Sequence, residues 1–381
     1  MKKIERTPAL QQKRIDSIDF WRGVALVAIL VNHIPGNVLG AITPRNFGFS
    51  DSAEQFVFLS GVSVYLAYGE ARFRRGSAAA VAMARRAAKL YGAHLALTAV
   101  GLALFWGANH FTPNDLLGAE FGRATPFLDP VRGVLGILAL SHQVAYFNIL
   151  PLYIVLLATA PLLLALALRG RFEMLAASAA VYAGARIAGV NLPSWPEAGG
   201  WYFNPFAWQF MFALGIFCGG ALRGEGVPFN LGALRVSQAF TVASALVVSN
   251  VFGLAPGLVD EAGRYLDWDK SQLGVARIVD FVALAYTVYF SRLNWSVRET
   301  AVFEFFAQLG RNPLPIFCAG SLISALGQIL ADSDLASPVF DVIYVGAALL
   351  LLYGLAGLFD RAGPAFARTV VGTRRSAARE A

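Results

Sequence analysis

A histidine, an arginine and two carboxylates stand close together in a stretch otherwise built from apolar residues. The run reads Arg14-Ile15-Asp16-Ser17-Ile18-Asp19-Phe20-Trp21-Arg22-Gly23, then the apolar run Val24 to Val31, then Asn32-His33-Ile34-Pro35-Gly36-Asn37. Ser50-Asp51-Ser52-Ala53-Glu54 follows a short connection. An imidazole titrates near neutrality, so His33 is suited to act as a general base. A carboxylate bonded to one ring nitrogen would fix the tautomer and leave the other nitrogen to take a proton. That nominates Glu54 or Asp51 as its partner. Arg22 and His33 are eleven residues apart. At ~100° per residue this returns to within about 20° of one helix face, with roughly 16 Å between them along the axis. A polar stripe would then run along the first helix, with Ile29 between its ends.

Each of these residues also has a plainer reading. Arg22 could reach lipid headgroups, helped by Asp19 one turn earlier. His33 could be an interfacial histidine, because Pro35-Gly36 ends the helix. Asp51 as N-cap with Glu54 three residues on has the form of a capping box, which is compatible with catalysis. Elsewhere, Arg277 and Asp280 are three apart and suit a mutually neutralising pair. Arg186 and Asp341 have no evident partner, and His94, His110 and His142 read as interfacial or loop histidines. Cys218 and Cys318 lie in apolar runs and read as packing residues, with no metal site expected.

The elements that must position these groups are membrane helices. Hydrophobic residues make up 57% of the 381, charged residues 14%, and mean hydropathy is +0.57. A soluble domain carries about 25% charged residues, so too few are present here to cover a water-facing surface. This excludes a disordered chain, a disulfide scaffold and an ordinary cytosolic enzyme. Ten stretches have the length and apolarity of spans: 18–36, 52–70, 87–107, 144–167, 172–189, 204–222, 234–253, 273–291, 312–329 and 338–359. The expected fold is an all-α polytopic bundle of about ten transmembrane helices. It forms one integral-membrane domain over 1–381, with cytoplasmic tails at 1–17 and 362–381. The first stretch reads as an uncleaved span, because Asp16, Asp19 and Arg22 crowd its apolar run.

Charge placement orients the bundle. With the N-terminus inside, 22 Lys and Arg residues fall in or beside the inner segments. Five fall in outer loops: Arg45, Arg123, Arg132, Arg264 and Lys270. Such asymmetry places both termini in the cytoplasm. The net charge of +7 therefore does not point to nucleic acid. The outer loops are acidic (Asp115, Glu120, Asp260, Asp332 and Asp334 among them) and hold Trp195, Trp201, Tyr202 and Trp268. Those aromatics suit either an interfacial belt or a surface for sugar rings. Val131 to Leu140 is too short to span and reads as a re-entrant or interfacial helix.

Arg22 and His33 with ten residues between them, at the head of ten spans, resemble the acyltransferase-3 membrane superfamily. The runs 15–23, 32–37 and 43–61 are similar to the OpgC family, which succinylates osmoregulated periplasmic glucans. Asn204-Pro205-Phe206-Ala207-Trp208-Gln209-Phe210 and Leu309-Gly310-Arg311-Asn312 extend the likeness across most of the chain. The loops 108–143 and 254–272 show no such likeness. The resemblance implies an inner-membrane enzyme using cytoplasmic acyl-CoA, succinyl-CoA above all, as donor substrate, with no tightly bound cofactor. The acceptor would be a hydroxyl of a periplasmic glucan. On that reading His33 is the base, Glu54 or Asp51 orients it, and Arg22 and Arg311 hold the donor. Asn32, Arg45 and Asn46 are candidate donors to the thioester oxygen, or Arg45 receives the distal carboxylate of a succinyl group. Trp208 and Gln209 would line the outer cavity. The competing readings are a proton-coupled transporter or flippase of a sugar or lipid-linked substrate, and a non-catalytic partner in glucan export.

Overall fold

The computed structural model describes residues 16–69, 77–111, 117–118, 121–224, 226–250, 253, 261, 263–291, 297, 300–331 and 337–377, with backbone alone for 77 and 362–377. Asp115, Glu120, Asp260, Asp332 and Asp334 of the outer loops lie outside the described residues. No strand occurs among those described, and one isolated bridge joins Pro193 to Gly200.

Helices α1 (Asp16–Asn32) and α2 (Ser52–Tyr68) are linked by two 3-10 turns, Val38–Ile42 and Pro44–Asn46. Then come α3 (Ser77–Asn109), the short α4 (Thr125–Leu128) and α5 (Pro130–Leu138), α6 (Ile149–Arg169) and α7 (Arg171–Ile187). The chain continues through α8 (Pro205–Arg223), α9 (Leu231–Val248), α10 (Val275–Phe290), α11 (Ala301–Arg311), α12 (Pro313–Ala331) and α13 (Pro338–Ala377). Six of these, α3, α6, α8, α9, α12 and α13, are long and apolar enough to cross a membrane. The helices on the other four expected spans, α1, α2, α7 and α10, have only 16 or 17 residues. At 1.5 Å per residue they measure about 24–26 Å. These short helices carry Asp19, Arg22, Glu54, Arg186, Arg277 and Asp280. α13 runs on to Ala377, so much of the segment expected as a tail has helical backbone.

The core is centred on α6 and α8, where Leu152, Leu156, Leu157, Trp208 and Phe212 are fully buried. α2 lies against α8 at backbone contact. A Cβ on Gly61 would strike the Phe212 carbonyl oxygen, and one on Gly215 the Phe58 carbonyl oxygen. Small residues on both helices permit that approach, a common solution where lipid leaves no hydrophobic drive between spans. α1 packs on α2, α11 and α12. α5 buries Gly133 and Gly136 and leaves Val131, Val134, Leu135 and Leu138 exposed, as expected of a short interfacial helix.

Candidate active site

His33 sits one residue past α1. Its N–H still bonds the Ile29 carbonyl at 3.0 Å, so helical geometry carries through to it. The carbonyls of a helix's last turn lack partners within the helix. Here two side chains one turn apart on α12 supply them. Ser324 Oγ donates to Leu30 O at 2.9 Å, and Gln328 Nε2 donates to His33 O at 2.7 Å. The His33 ring lies 4.8 Å from that of Tyr146. Its Nδ1 is buried and has no hydrogen-bond partner among the described residues.

Asp51 and Glu54 form the capping box of α2. Asp51 Oδ1 accepts from the Ala53 N–H at 2.8 Å, and Glu54 Oε2 accepts from the Asp51 N–H at 2.9 Å. Their other oxygens take cations. Arg277 of α10 donates Nε to Glu54 Oε1 at 2.6 Å and a terminal N–H to Asp51 Oδ2 at 3.2 Å. Lys270 Nζ donates to the same Asp51 oxygen at 2.5 Å. Two carboxylates and two cations thus cancel in charge, and the fully buried Glu54 requires such pairing. Burial lowers the Lys270 pKa, but Asp51 and Glu54 outweigh it and hold the ammonium above the usual lysine range.

This arrangement differs from the expected pairing. Neither carboxylate hydrogen-bonds His33, because both are committed to cap donors, Arg277 and Lys270. His33 stands within electrostatic reach of Lys270, Asp51 and Arg45 instead. Nor do Arg277 and Asp280 neutralise each other. Asp280 accepts from the Ser50 N–H (2.9 Å) and Ser50 Oγ (2.6 Å) just before α2, and from Ser244 Oγ of α9 (2.6 Å), so hydroxyl and backbone donors satisfy it.

At the other end of α1, Arg22 bonds Asp19 at 3.0 Å and Ser63 of α2. It faces a cavity of about 460 Å³ that also takes in Arg85, Arg86, Lys89 and Arg311. Phe56, Tyr153 and Phe317 give that cavity an apolar wall. Arg311 is held by Glu304 at 2.7 and 3.0 Å, with Asp360 at 3.8 Å. A second cavity of about 250 Å³ is lined by Arg45, Ser50, Asp51, Trp268 and Arg277. Phe56 borders the first and Asp51 the second, five residues apart on α2 and its cap.

A model of the OpgC protein family matches residues 14–363. The chain belongs to the OpgC protein family. No curated protein and no solved structure matches it. The OpgC match takes in both cavities and helices α1 to α12 whole.

Within this OpgC chain the remaining nominated residues divide. Asn32 accepts from Thr43 Oγ1 at 2.7 Å, and Arg45 is exposed at the smaller cavity. Asn46 donates to Gly40 O (2.6 Å) and Thr43 Oγ1 (3.5 Å), so it clasps the connecting turns. Trp208 and Gln209 line neither cavity. Trp208 is fully buried and donates to Lys270 O at 3.0 Å. Gln209 bridges α7 and α8 through Ser178.

Other groups find partners that sequence reading did not name. Arg186 holds Asp267 at 2.7 and 2.8 Å, and Asp341 accepts from the Val38 N–H at 2.8 Å. His142 lies in the loop between α5 and α6, as expected, and is buried there. Its Nδ1 lies 2.6 Å from Glu197, which also accepts from Thr125 Oγ1 at 2.5 Å. Burial raises the Glu197 pKa, yet the bonds from Thr125 and His142 outweigh it and hold the carboxyl below its usual range. His94 is buried in α3, while His110 is exposed at its end. Lys270 was legible only as a lone base among Asp267 and Asp269, and Gln328 only as an amide in an apolar run.

Proposed function

We propose that this protein is a transmembrane O-acyltransferase. It takes an acyl group, succinyl by family resemblance, from cytoplasmic acyl-CoA and delivers it to a hydroxyl of a periplasmic glucan. Membership of the OpgC family supports a glucan-modifying acyltransferase role. The proposed topology has ten spans, the six long helices plus α1, α2, α7 and α10, in a bacterial inner membrane with both termini inside.

The observation that carries the reading is the pair of cavities whose lining residues Phe56 and Asp51 are five positions apart on α2 and its cap. The larger is ringed by arginines and a lysine and is suited to the phosphates of coenzyme A. Its aromatic wall suits the pantetheine arm and the acyl chain. The smaller holds polar and aromatic groups suited to a sugar. The hydroxyl oxygen attacks the thioester carbon as His33 takes its proton. The C–O bond forms, the C–S bond breaks, and the proton passes to the departing thiolate. Asn32, its Oδ1 fixed by Thr43, offers N–H groups to the developing oxyanion. Arg45 receives a carboxylate at the far end of the acyl group. Asp51 and Glu54 serve by holding Arg277 and Lys270 beside the outer cavity.

Purified protein in vesicles supplied with labelled acyl-CoA and a glucan tests the reading. Label should appear on the glucan, and His33→Ala should lower turnover by about 10²–10⁴-fold. His33→Gln should not rescue, because an amide does not take the proton. Substrate flux without acyl-CoA consumption would establish a transporter instead.

A further inference from the structure

A buried arginine and a glutamine outside both cavities converge on the backbone of His33. Gln328 donates to the His33 carbonyl at 2.7 Å, and its own oxygen accepts from Arg123 at 2.5 Å. Arg123 is 4% exposed, with its guanidinium 3.6 Å from the centre of the Phe105 ring and 4.5 Å from that of Phe121. Phe121 stacks on Tyr146 at 6.1 Å, and Tyr146 meets the His33 ring at 4.8 Å. One cation thus reaches His33 by two routes, through an amide to its carbonyl and through two rings to its imidazole. A buried arginine is costly, and a core leucine would fill that space without the cost. Of the three other histidines, none has its carbonyl held by a side chain among the hydrogen bonds of the described residues.

We propose that Arg123 and Gln328 are positioning residues for His33, setting the register of the last residue of the α1 helical turn and the plane of its ring. The inference rests on His33 being the base. A general base must sit within about 2.6–3.2 Å of the proton it removes, so a small displacement at a helix end falls directly on the rate. Rotation of the His33 peptide by loss of the Gln328 donor would move the imidazole with it.

The test uses Gln328→Glu in the purified full chain. This variant keeps the shape and the Arg123 contact but presents an acceptor to the His33 carbonyl. Turnover should fall 10-fold or more while acyl-CoA affinity stays within twofold. Arg123→Lys, which keeps the charge and loses the planar fork, should lose turnover to a lesser degree. A readout independent of activity comes from the chain's four histidines. With labelled histidine, the signal that disappears in His33→Ala identifies His33. That signal should shift in Gln328→Glu, while His110 stays fixed. An unmoved His33 signal with native turnover in Gln328→Glu would overturn the inference while leaving the acyltransferase reading intact. Native turnover in His33→Ala would overturn that reading itself. If Gln328→Glu fails to fold, the His33 signal in Arg123→Lys decides: a shift supports the inference, and an unmoved signal overturns it.

Discussion

Arg22 and His33 lie on one helix yet face different surroundings, and that separation is testable. Arg22 borders the cavity ringed by cations, whereas His33 meets Tyr146 and α12. Arg22→Ala should weaken binding of a non-hydrolysable acyl-CoA, since a charge-assisted contact is lost. His33→Ala should bind it normally. Full binding in Arg22→Ala with loss in His33→Ala would reverse the assignment. Arg277 belongs to stability as much as to chemistry. Arg277→Met would strand Glu54 and leave Asp51 to Lys270 alone, and breaking a buried pair costs about 3–5 kcal/mol. The thermal midpoint should drop, and the further change Glu54→Gln should recover part of it. The charged residues of the first seventy stood out because charge inside an apolar run is conspicuous. Their partners did not. Asp51 and Arg277 are 226 residues apart, and nothing local in either segment encodes the meeting. Local spacing misled for Arg277 and Asp280, where neighbours on a helix each found partners distant in sequence at the start of α2.

At the level of the helix, hydropathy located each apolar stretch well, and capping located the start of α2. Length was harder to read, because the polar residues that mark a site also shorten the apolar run. α1, α2, α7 and α10 are the shortest of the ten expected spans for that reason. α3 has 33 residues, and its first turns bring Arg85, Arg86 and Lys89 to the large cavity, where sequence placed them on or beside a loop. The contact of α2 with α8 makes its own prediction. Gly61→Leu should push the two backbones apart and cost at least the 1–3 kcal/mol typical of overpacking. Since α2 carries Asp51 and Glu54, the midpoint of thermal unfolding and the turnover should fall together. A neutral result would show that the helices separate freely.

For the whole molecule, the sidedness of the chain is the claim most open to direct attack. A cysteine placed at Ser194 should react with a membrane-impermeant reagent added from outside, and one at Ser77 should not. Ser333, which the same topology places outside, lies beyond the described residues. Strong outside labelling at Ser77 would invert the bundle. The proposed orientation rests on the 22-to-five charge asymmetry, because lysine and arginine distribution is a property of the chain rather than of its folding. Between Phe111 and Val144 the short helix at Val131 to Leu140 was legible, but ties from this segment to the 190–201 loop, such as His142 to Glu197, were not, because they leave no periodic trace.

The narrow partition between the two cavities has an electrical consequence. Where water-filled vestibules reach in from both faces, a transmembrane voltage falls mainly across the remaining septum and not across the full bilayer. That septum lies near Phe56 and Asp51. In the proposed orientation, an acyl group ending in a carboxylate leaves an inside-negative compartment as it crosses. One full charge moving through the drop gains about 2.3 kcal/mol per 100 mV, and a neutral acyl group gains nothing. The same septum would thus let the cell's membrane potential favour export of acidic substituents over neutral ones, with no further machinery.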